Sequence, residues 1–443
     1  MSTEPYRIGA GAGFAGDRRD PARVLAADGG VDAIVFECLA ERTIGIAQQR
    51  RAAGGQGFER RTIERIADVA EAMFARDGII VTNGGAADPV GAARATIAQL
   101  ASLTNDARVA AVTGDDVLAS IDRSSARIDG TDSTLDDLGD RVISANAYLG
   151  MEGISRALDA GANTVITGRV SDAALFLGPL AHHFGWRADD WTRIAEGTLV
   201  GHLLECAGQL TGGYFADGVA KHVPNLATLG FPFADVTSAG SGVYGKAEGT
   251  GGRLDTRTVL EQLLYEIDNP QAYLTPDATV DLTNVTVTDA GPSRVAASGA
   301  TANGRPDQLK VSVGVRDGFA ATASINYGGF RALERATLAA EIMCERWSSV
   351  LDYSDDLQYE FVGHNALSPW ATPASAPNEV QVRFSTRTLR QDVARALVHE
   401  VEALYTNGPA GGGGTSGNVK ETVGIVSTFI DRSEVDTKVE IVG

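Results

Sequence analysis

Four short apolar runs place the strongest constraint on the fold. AIVFE (33–37), GIIVT (78–82), VAAVT (109–113) and TVITG (164–168) are too short for core helices and carry almost no polar positions. Runs of this kind suit strands covered on both faces, as in a parallel sheet. Between them lie amphipathic segments such as RRTIERIADVAEAMFARDG (60–78), with apolar residues three and four apart and Gly78 placed as a stop. Strands separated by such helices call for parallel pairing through crossovers, hence an α/β fold. Three of the runs lead directly into polar loops, FECLAER, VTNGGAADP and ITGRVSD. In open parallel sheets the ligand crevice forms at the strands' carboxyl ends, so these loops are expected to converge.

The pattern changes after Asp277. TVDLTNVTVTDA (279–290), QLKVSVGVRDG (308–318) and FAATASINYGG (319–329) show β-branched alternation broken by turn residues. A helix is expected over 331–350, then strands at 358–363 and 379–386, a helix over 389–405 and a last strand at 422–430. GPAGGGGTSGN (408–418) reads as a low-complexity loop before that strand. A chain of 443 residues is long enough for two domains. The expected layout is an N-terminal parallel-sheet α/β domain over 1–275, carrying the active site, followed by a smaller α+β layered domain over 276–443.

Composition narrows the partners. The formal net charge of −19 leaves no basic surplus to neutralise nucleic-acid phosphates or an anionic membrane. Small anionic ligands stay open, because a few Arg or Lys side chains and backbone N–H groups can hold one. Cys38, Cys206 and Cys344 are far apart and odd in number, which suggests neither a disulfide framework nor a metal site. The start, MSTEPYRIGA, lacks the basic patch and apolar run of a signal peptide, and no apolar stretch is long enough to span a bilayer. The expectation is a soluble cytoplasmic protein.

GAGFAG (11–16) completes a G-x-G-x-x-G after the short strand YRIGA, and Glu37 follows Gly16 by 21 residues at the end of the next strand. A nicotinamide dinucleotide on Gly11, Gly13, Gly16 and Glu37 is therefore one reading. Against it, the helix should open among the glycines, whereas Pro21 keeps Asp20 out of helical geometry and delays the start. In a second reading the glycines allow close backbone approach to a ligand, with Asp17 and Arg18 projecting from the loop. A tight turn carrying a surface ion pair is the third.

Other clusters share the strand ends. Glu37, Glu41 and Arg42 follow one apolar run, and burial there would raise a glutamate toward the range useful for acid–base work. A structural Glu–Arg pair would look the same. In GHLLECAGQLTGG (201–213), His202 and Glu205 share a helical face as an acid–base pair or an ordinary polar face. Asp172 serves as helix cap or as catalytic acid, while Arg169 is expected to point into the crevice as an anion anchor. Asn83, Gly84 and Gly85 could offer N–H groups to a carboxylate or phosphate oxygen. KAEGTGGRLD (246–255) adds a glycine turn with Lys246, Gly249, Thr250, Gly251 and Gly252, suited to an anionic tail such as that of coenzyme A. It lacks the spacing of an ATP loop. No HxH or HExxH spacing suggests a metal, although acidic loops leave a carboxylate-bound magnesium open.

Taken together, GAGAGFAGDR (9–18), FECLAERT (36–43), NGGAADP (83–89), ANAYLG (145–150), ITGRVSDAAL (166–175), GHLLECAGQLTGG (201–213), EGTGGRLDTRTVLEQLLYEIDNP (248–270) and GPAGGGGTSGNV (408–419) resemble the acyclic terpene utilisation protein family. The resemblance runs over nearly the whole chain in one order. It implies a place in the catabolism of acyclic terpenes such as citronellol and geraniol, through branched acyl-CoA intermediates. It attaches no role to any residue. It also implies a small α+β module, fused or separate; the chain stops before one, so a small partner subunit is expected. One departure is Ala247, where the resemblance leads one to expect histidine.

The expected function is an enzyme acting on a branched acyl-CoA or hydroxy-carboxylate by hydration, dehydration or carbon–carbon cleavage. Glu37, Glu41, Glu205, Asp17 and Asp172 are the candidate acid–base residues. Arg18, Arg42 and Arg169 are the candidate anion anchors, and the loops at 83–85 and 249–252 the N–H donors. An NAD-dependent oxidoreductase and a non-catalytic subunit delivering an acyl ligand to a partner enzyme are the alternatives. A homo-oligomer binding a small-molecule substrate is the expected state.

Overall fold

The computed structural model describes residues 4–368, 370 and 376–442. The chain divides into two compact units, Met1–Gly314 with Ile425–Gly443, and Val315–Gly424.

In the first unit the apolar runs become strands. β1 (Tyr6–Ala12), β2 (Ala33–Phe36), β3 (Ile79–Thr82) and β4 (Val109–Thr113) alternate with α1 (Asp20–Asp28), α2 (Glu41–Ala52), α3 (Arg60–Phe74) and α4 (Pro89–Leu100). β5 (Val142–Ala147), α5 (Glu152–Asp159), β6 (Thr164–Thr167), α6 (Ala174–Phe184) and α7 (Trp191–Leu204) follow. β1, β2, β3, β6 and β4 pair in parallel in that order. Every residue of β2 and of β6 is buried, as strands packed on both faces must be. α3 supplies a typical cover: Ile63, Ile66, Val69, Ala70 and Met73 recur at helical spacing and enter the core. α4 begins where the sequence says it should, with the Asp88 carboxylate accepting from Gly91 N–H (3.0 Å) and Pro89 in the first turn.

Antiparallel strands extend this sheet on both sides. β7 (Pro232–Val236) pairs with β1, and β8 (Gly242–Lys246) pairs with β7. Beyond α8 (Thr256–Leu263) come β9 (Tyr273–Leu274) and β10 (Thr279–Asp281). β11 (Thr286–Gly291) and β12 (Arg294–Ser298) continue the edge beyond β8. β13 (Thr301–Ala302), β10 and β9 make a separate small sheet. The boundary expected near residue 275 therefore falls inside the first unit, because β11 and β12 hydrogen-bond onto the main sheet instead of starting a new one.

QLKVSVGVRDG and FAATASINYGG, read as two strands, form the single strand β14 (Gln308–Gly328). Gly318, at φ +72°, absorbs the irregularity without reversing the chain. The second unit continues with α9 (Ala332–Glu345), β15 (Gln358–Val362), β16 (Glu379–Thr388), α10 (Gln391–Asn407) and β17 (Gly412–Asp431). Its strands run in the order β15-β16-β14-β17, and Ile325, Tyr327, Val382 and Phe384 pack with Ala336, Ala340, Leu397 and Val401 from the helices. The glycine run is not wholly a loop, since β17 begins inside it. Within β17, at Ile425, the chain re-enters the first unit, where β18 (Lys438–Val442) pairs antiparallel with β4 and supplies that edge of the main sheet.

Candidate active site

The loops leaving β2 and β6 meet the C-terminal end of α7 around a cavity of about 1100 Å³ lined by Glu41, Arg42, Tyr148, Arg169, Asp172, His202, Glu205 and Glu266. A second cavity, of about 730 Å³, meets it at Ala40, Asp172, Glu205 and Glu266. The crevice lies at the carboxyl ends of the parallel strands, where such sheets bind their ligands.

Glu37 ends β2 as a buried carboxyl. Its Oε1 accepts from Asn83 Nδ2 (2.9 Å) and from Leu39 N–H (2.7 Å), while Asn83 Oδ1 accepts from Cys38 N–H (2.7 Å). Burial pushes Glu37 up to about 8, the neighbouring Asp172 charge adds to this, and the hydrogen bonds and Arg169 restrain it. Asn83 thus acts as a fastener between β2 and β3. Gly84 and Gly85 pack against Thr62 and the Thr167 carbonyl and line neither cavity.

Arg169 is 1% exposed. Its guanidinium donates to the carbonyls of Val170 (2.9 and 2.6 Å) and Leu39 and to the Asp172 carboxylate, and it lies 4.5 Å from the centre of the Tyr148 ring. Asp115 fixes the backbone beneath it, accepting Arg169 N–H at 2.9 Å. The expected free anion anchor is therefore a tethered partner of Asp172. Burial raises Asp172 despite that partner.

His202 and Glu205 meet at the end of α7. His202 Nδ1 lies 3.4 Å from Glu205 Oε1, and His202 Nε2 lies 3.1 Å from the Leu263 carbonyl. A carbonyl only accepts, so Nε2 carries a hydrogen and Nδ1 is the nitrogen left facing the carboxylate. Nδ1 is itself buried without a hydrogen-bond partner, so a proton taken up on Nδ1 or Oε1 would bridge the pair. Burial pushes Glu205 up to about 7, with His202 pulling it down and the Asp172 and Glu266 charges pushing it up. Burial disfavours the imidazolium, but the hydrogen bond and charge of Glu205 outweigh it and His202 is raised. Glu205 Oε2 is buried without a hydrogen-bond partner.

At the rim, Glu41 Oε1 accepts from Tyr148 OH (2.7 Å) and Lys310 Nζ (2.8 Å). Burial would raise Glu41, but these two donors hold it below the usual carboxylate range, so it stays ionised. Arg42 sits in the first turn of α2, exposed, on the cavity wall. Lys310, Tyr148 and Glu266 were not among the expected site residues: each comes from an irregular connection or a distant strand. Glu266 follows α8 with φ +58°, an uncommon conformation for a residue with a side chain.

The opening glycine stretch serves packing. A Cβ on Gly11 would meet the Phe36 ring at 2.5 Å, and one on Gly13 would meet the Cys206 backbone at 2.6 Å. On Gly16 it would meet the Phe14 ring at 2.4 Å. Asp17 accepts Gly13 N–H (3.0 Å) and Arg18 N–H (2.8 Å), so the N–H that a pyrophosphate would use is already taken. The helix does start late, as Pro21 implied, though at Asp20 with no side-chain cap. Arg18 donates to the carbonyls of Leu226 (2.9 Å) and Ala227 (3.3 Å), which leaves it as a tie between loops. Buried Arg65 clamps the same stretch through the carbonyls of Ala15, Asp17 and Arg18. An arginine on the apolar face of the helix 60–74, between Thr62 and Val69, was the readable sign of such a role.

The second glycine turn stands outside both cavities. Lys246 Nζ donates to the Thr250 carbonyl (2.7 Å), and the N–H groups of Gly251 and Gly252 donate to Thr228 and Pro224 (2.7 and 2.8 Å). The donors of Lys246, Gly251 and Gly252 are thus turned inward, and none of Lys246, Gly249, Thr250, Gly251 and Gly252 lines either cavity, contrary to the anion cradle expected of them. Burial lifts the thiols of Cys38 and Cys206 far from nucleophilic range. Among the described residues, no group of three or more His, Cys, Asp or Glu could hold a metal ion. Likewise, no helix among them is long and apolar enough to cross a membrane.

Comparison with known proteins gives one extensive match. The family model described as acyclic terpene utilisation family protein AtuA matches residues 6–441. No curated protein matches. Among solved structures, the de novo designed protein Ferredog-Diesel is similar at 17% identity over 24% of this chain and 86% of its own, with a TM-score of 0.16, which supports no structural conclusion.

Proposed function

The chain belongs to the acyclic terpene utilisation (AtuA) family, with the role in acyclic terpene utilisation that this implies, and on that premise we propose that it is an acid–base enzyme of lyase type. Its substrate is a branched acyl thioester or hydroxy-carboxylate, and it adds or removes water or cleaves a carbon–carbon bond next to the activated carbon. The observation that supports this reading is the buried His202–Glu205 pair, 3.4 Å apart on the wall of the larger cavity, between which a proton can pass. Such chemistry needs a group that removes a proton from carbon and returns one to the departing or accepting oxygen. Glu205 has the raised affinity for that role, and His202 keeps the proton in reserve.

Arg42 and Lys310, on the rim, meet the carboxylate or thioester oxygen and stabilise the negative charge that develops when the proton leaves. Glu37 and Asp172 line the second cavity, and Asp172 is shared with the first. Their raised proton affinity suits them to protonate a leaving oxygen. Arg169 keeps Asp172 oriented.

The test is exchange of substrate α-hydrogens with deuterated water, followed by NMR across a panel of branched acyl thioesters and hydroxy acids. Wild-type protein is expected to catalyse exchange on at least one compound, and Glu205→Gln to lose it while remaining folded. Exchange that persists undiminished in the variant, or none across the panel, overturns the reading.

A further inference from the structure

The second cavity differs from the first in chemistry. Beside the acids Asp17, Glu37, Asp172, Glu205 and Glu266, its wall carries the apolar and aromatic side chains Phe14, Leu226, Leu229, Phe231, Tyr214 and Tyr265. Arg18, its cation, is committed to two backbone carbonyls. The acids Asp172, Glu205 and Glu266 stand where the two cavities join. An anionic group placed deeper here would find no free positive partner, so this volume suits an uncharged chain.

Two further observations mark it as a ligand site. Phe14 is 60% exposed and Tyr214 is 86% exposed on its wall, an apolar investment that solvent does not explain. Tyr214 and Glu266 hold φ values of +61° and +58°, and strained backbone of this kind collects at ligand clamps. Tyr214 also meets the edge of Tyr265, with ring centroids 6.4 Å apart, forming a corner of two aromatic faces.

We propose that the second cavity is a subsite for the hydrocarbon part of the substrate. The oxygenated head then lies in the first cavity near Arg42 and Lys310, and the bond that reacts spans the junction beside Glu205. This rests on the site assignment of the preceding subsection, but its chemistry is separate: the subsite recognises an uncharged aliphatic or unsaturated chain through Phe14, Tyr214 and Tyr265.

Calorimetric titration of the intact chain with two matched series, straight-chain alcohols and carboxylates from butyl to decyl, tests it. Affinity for both series is expected to rise about fourfold per methylene until the subsite is filled. Phe14→Ala and Tyr214→Ala, both on exposed side chains and so compatible with folding, are expected to flatten that rise while leaving short-chain binding unchanged. A flat chain-length dependence in wild type, or an unchanged slope in both variants, overturns the subsite. The two readings fail separately. If the alcohols obey the expected slope and carboxylates bind no tighter than alcohols, the subsite stands and the head-group role of Arg42 and Lys310 falls.

Discussion

His202 and Glu205 face each other at 3.4 Å across the last turn of α7, with the far nitrogen of the imidazole held by the Leu263 carbonyl. On the proposed function, a proton taken up between these two acceptors, beside a cavity, is a store that can be drawn on and refilled. Glu205→Gln removes the ionisable group but keeps the shape. It is expected to lower turnover by about 10²- to 10⁴-fold, with circular dichroism and melting temperature close to wild type. Steady-state rates on whichever panel compound shows α-hydrogen exchange provide the check.

Arg42 and Lys310 are exposed, so their replacement tests binding without threatening the core. Arg42→Ala is expected to weaken carboxylate or thioester binding by roughly ten- to a hundredfold, the worth of one charge-assisted hydrogen bond. Lys310→Ala also releases Glu41, which then takes up protons more readily because a donor that stabilised its charge is gone. Isothermal titration of both variants at two salt concentrations separates these effects.

Stability should fall with rising pH over a defined window. Glu37 has a folded pKa near 8 against an ordinary value of 4.5, so between these limits the native state binds the proton that the unfolded chain releases. The stabilisation is complete below about pH 4.5 and is lost as pH climbs toward 8, at up to about 1.4 kcal/mol per pH unit. Glu37→Gln keeps an oxygen for Asn83 and Leu39 and should flatten that dependence. Denaturant melts at several pH values measure it.

Gly13→Ala is expected to destabilise by about 1–3 kcal/mol, because the new methyl meets the Cys206 backbone at 2.6 Å and neither chain can step aside. Since Cys206 adjoins Glu205, ligand affinity should drop as well. A chemical melt together with a titration shows whether both change.

The parallel core was legible because burial on both faces leaves a continuous apolar run, as in Ala33–Phe36 and Val109–Thr113. His202 and Glu205 were legible because both lie on one helical face. Glu266, Tyr148 and Lys310 were not, since their meeting depends on turns and on the course of β14, which no local periodicity encodes. The tethering of Arg18 and Arg169 was not legible for a related reason. Sequence shows an arginine at a strand end, but only the fold shows the carbonyls that consume its donors.

The pairing of Lys438–Val442 with Val109–Thr113 has a consequence for biosynthesis. A ribosome releases β4 more than three hundred residues before the strand that covers its edge. Until then the nascent chain displays an unpaired row of backbone donors and acceptors beside an apolar run, the kind of template that recruits other chains. Substitutions that weaken the Lys438–Val442 pairing therefore leave the apolar run of β4 with an open edge long after the rest of its sheet is made.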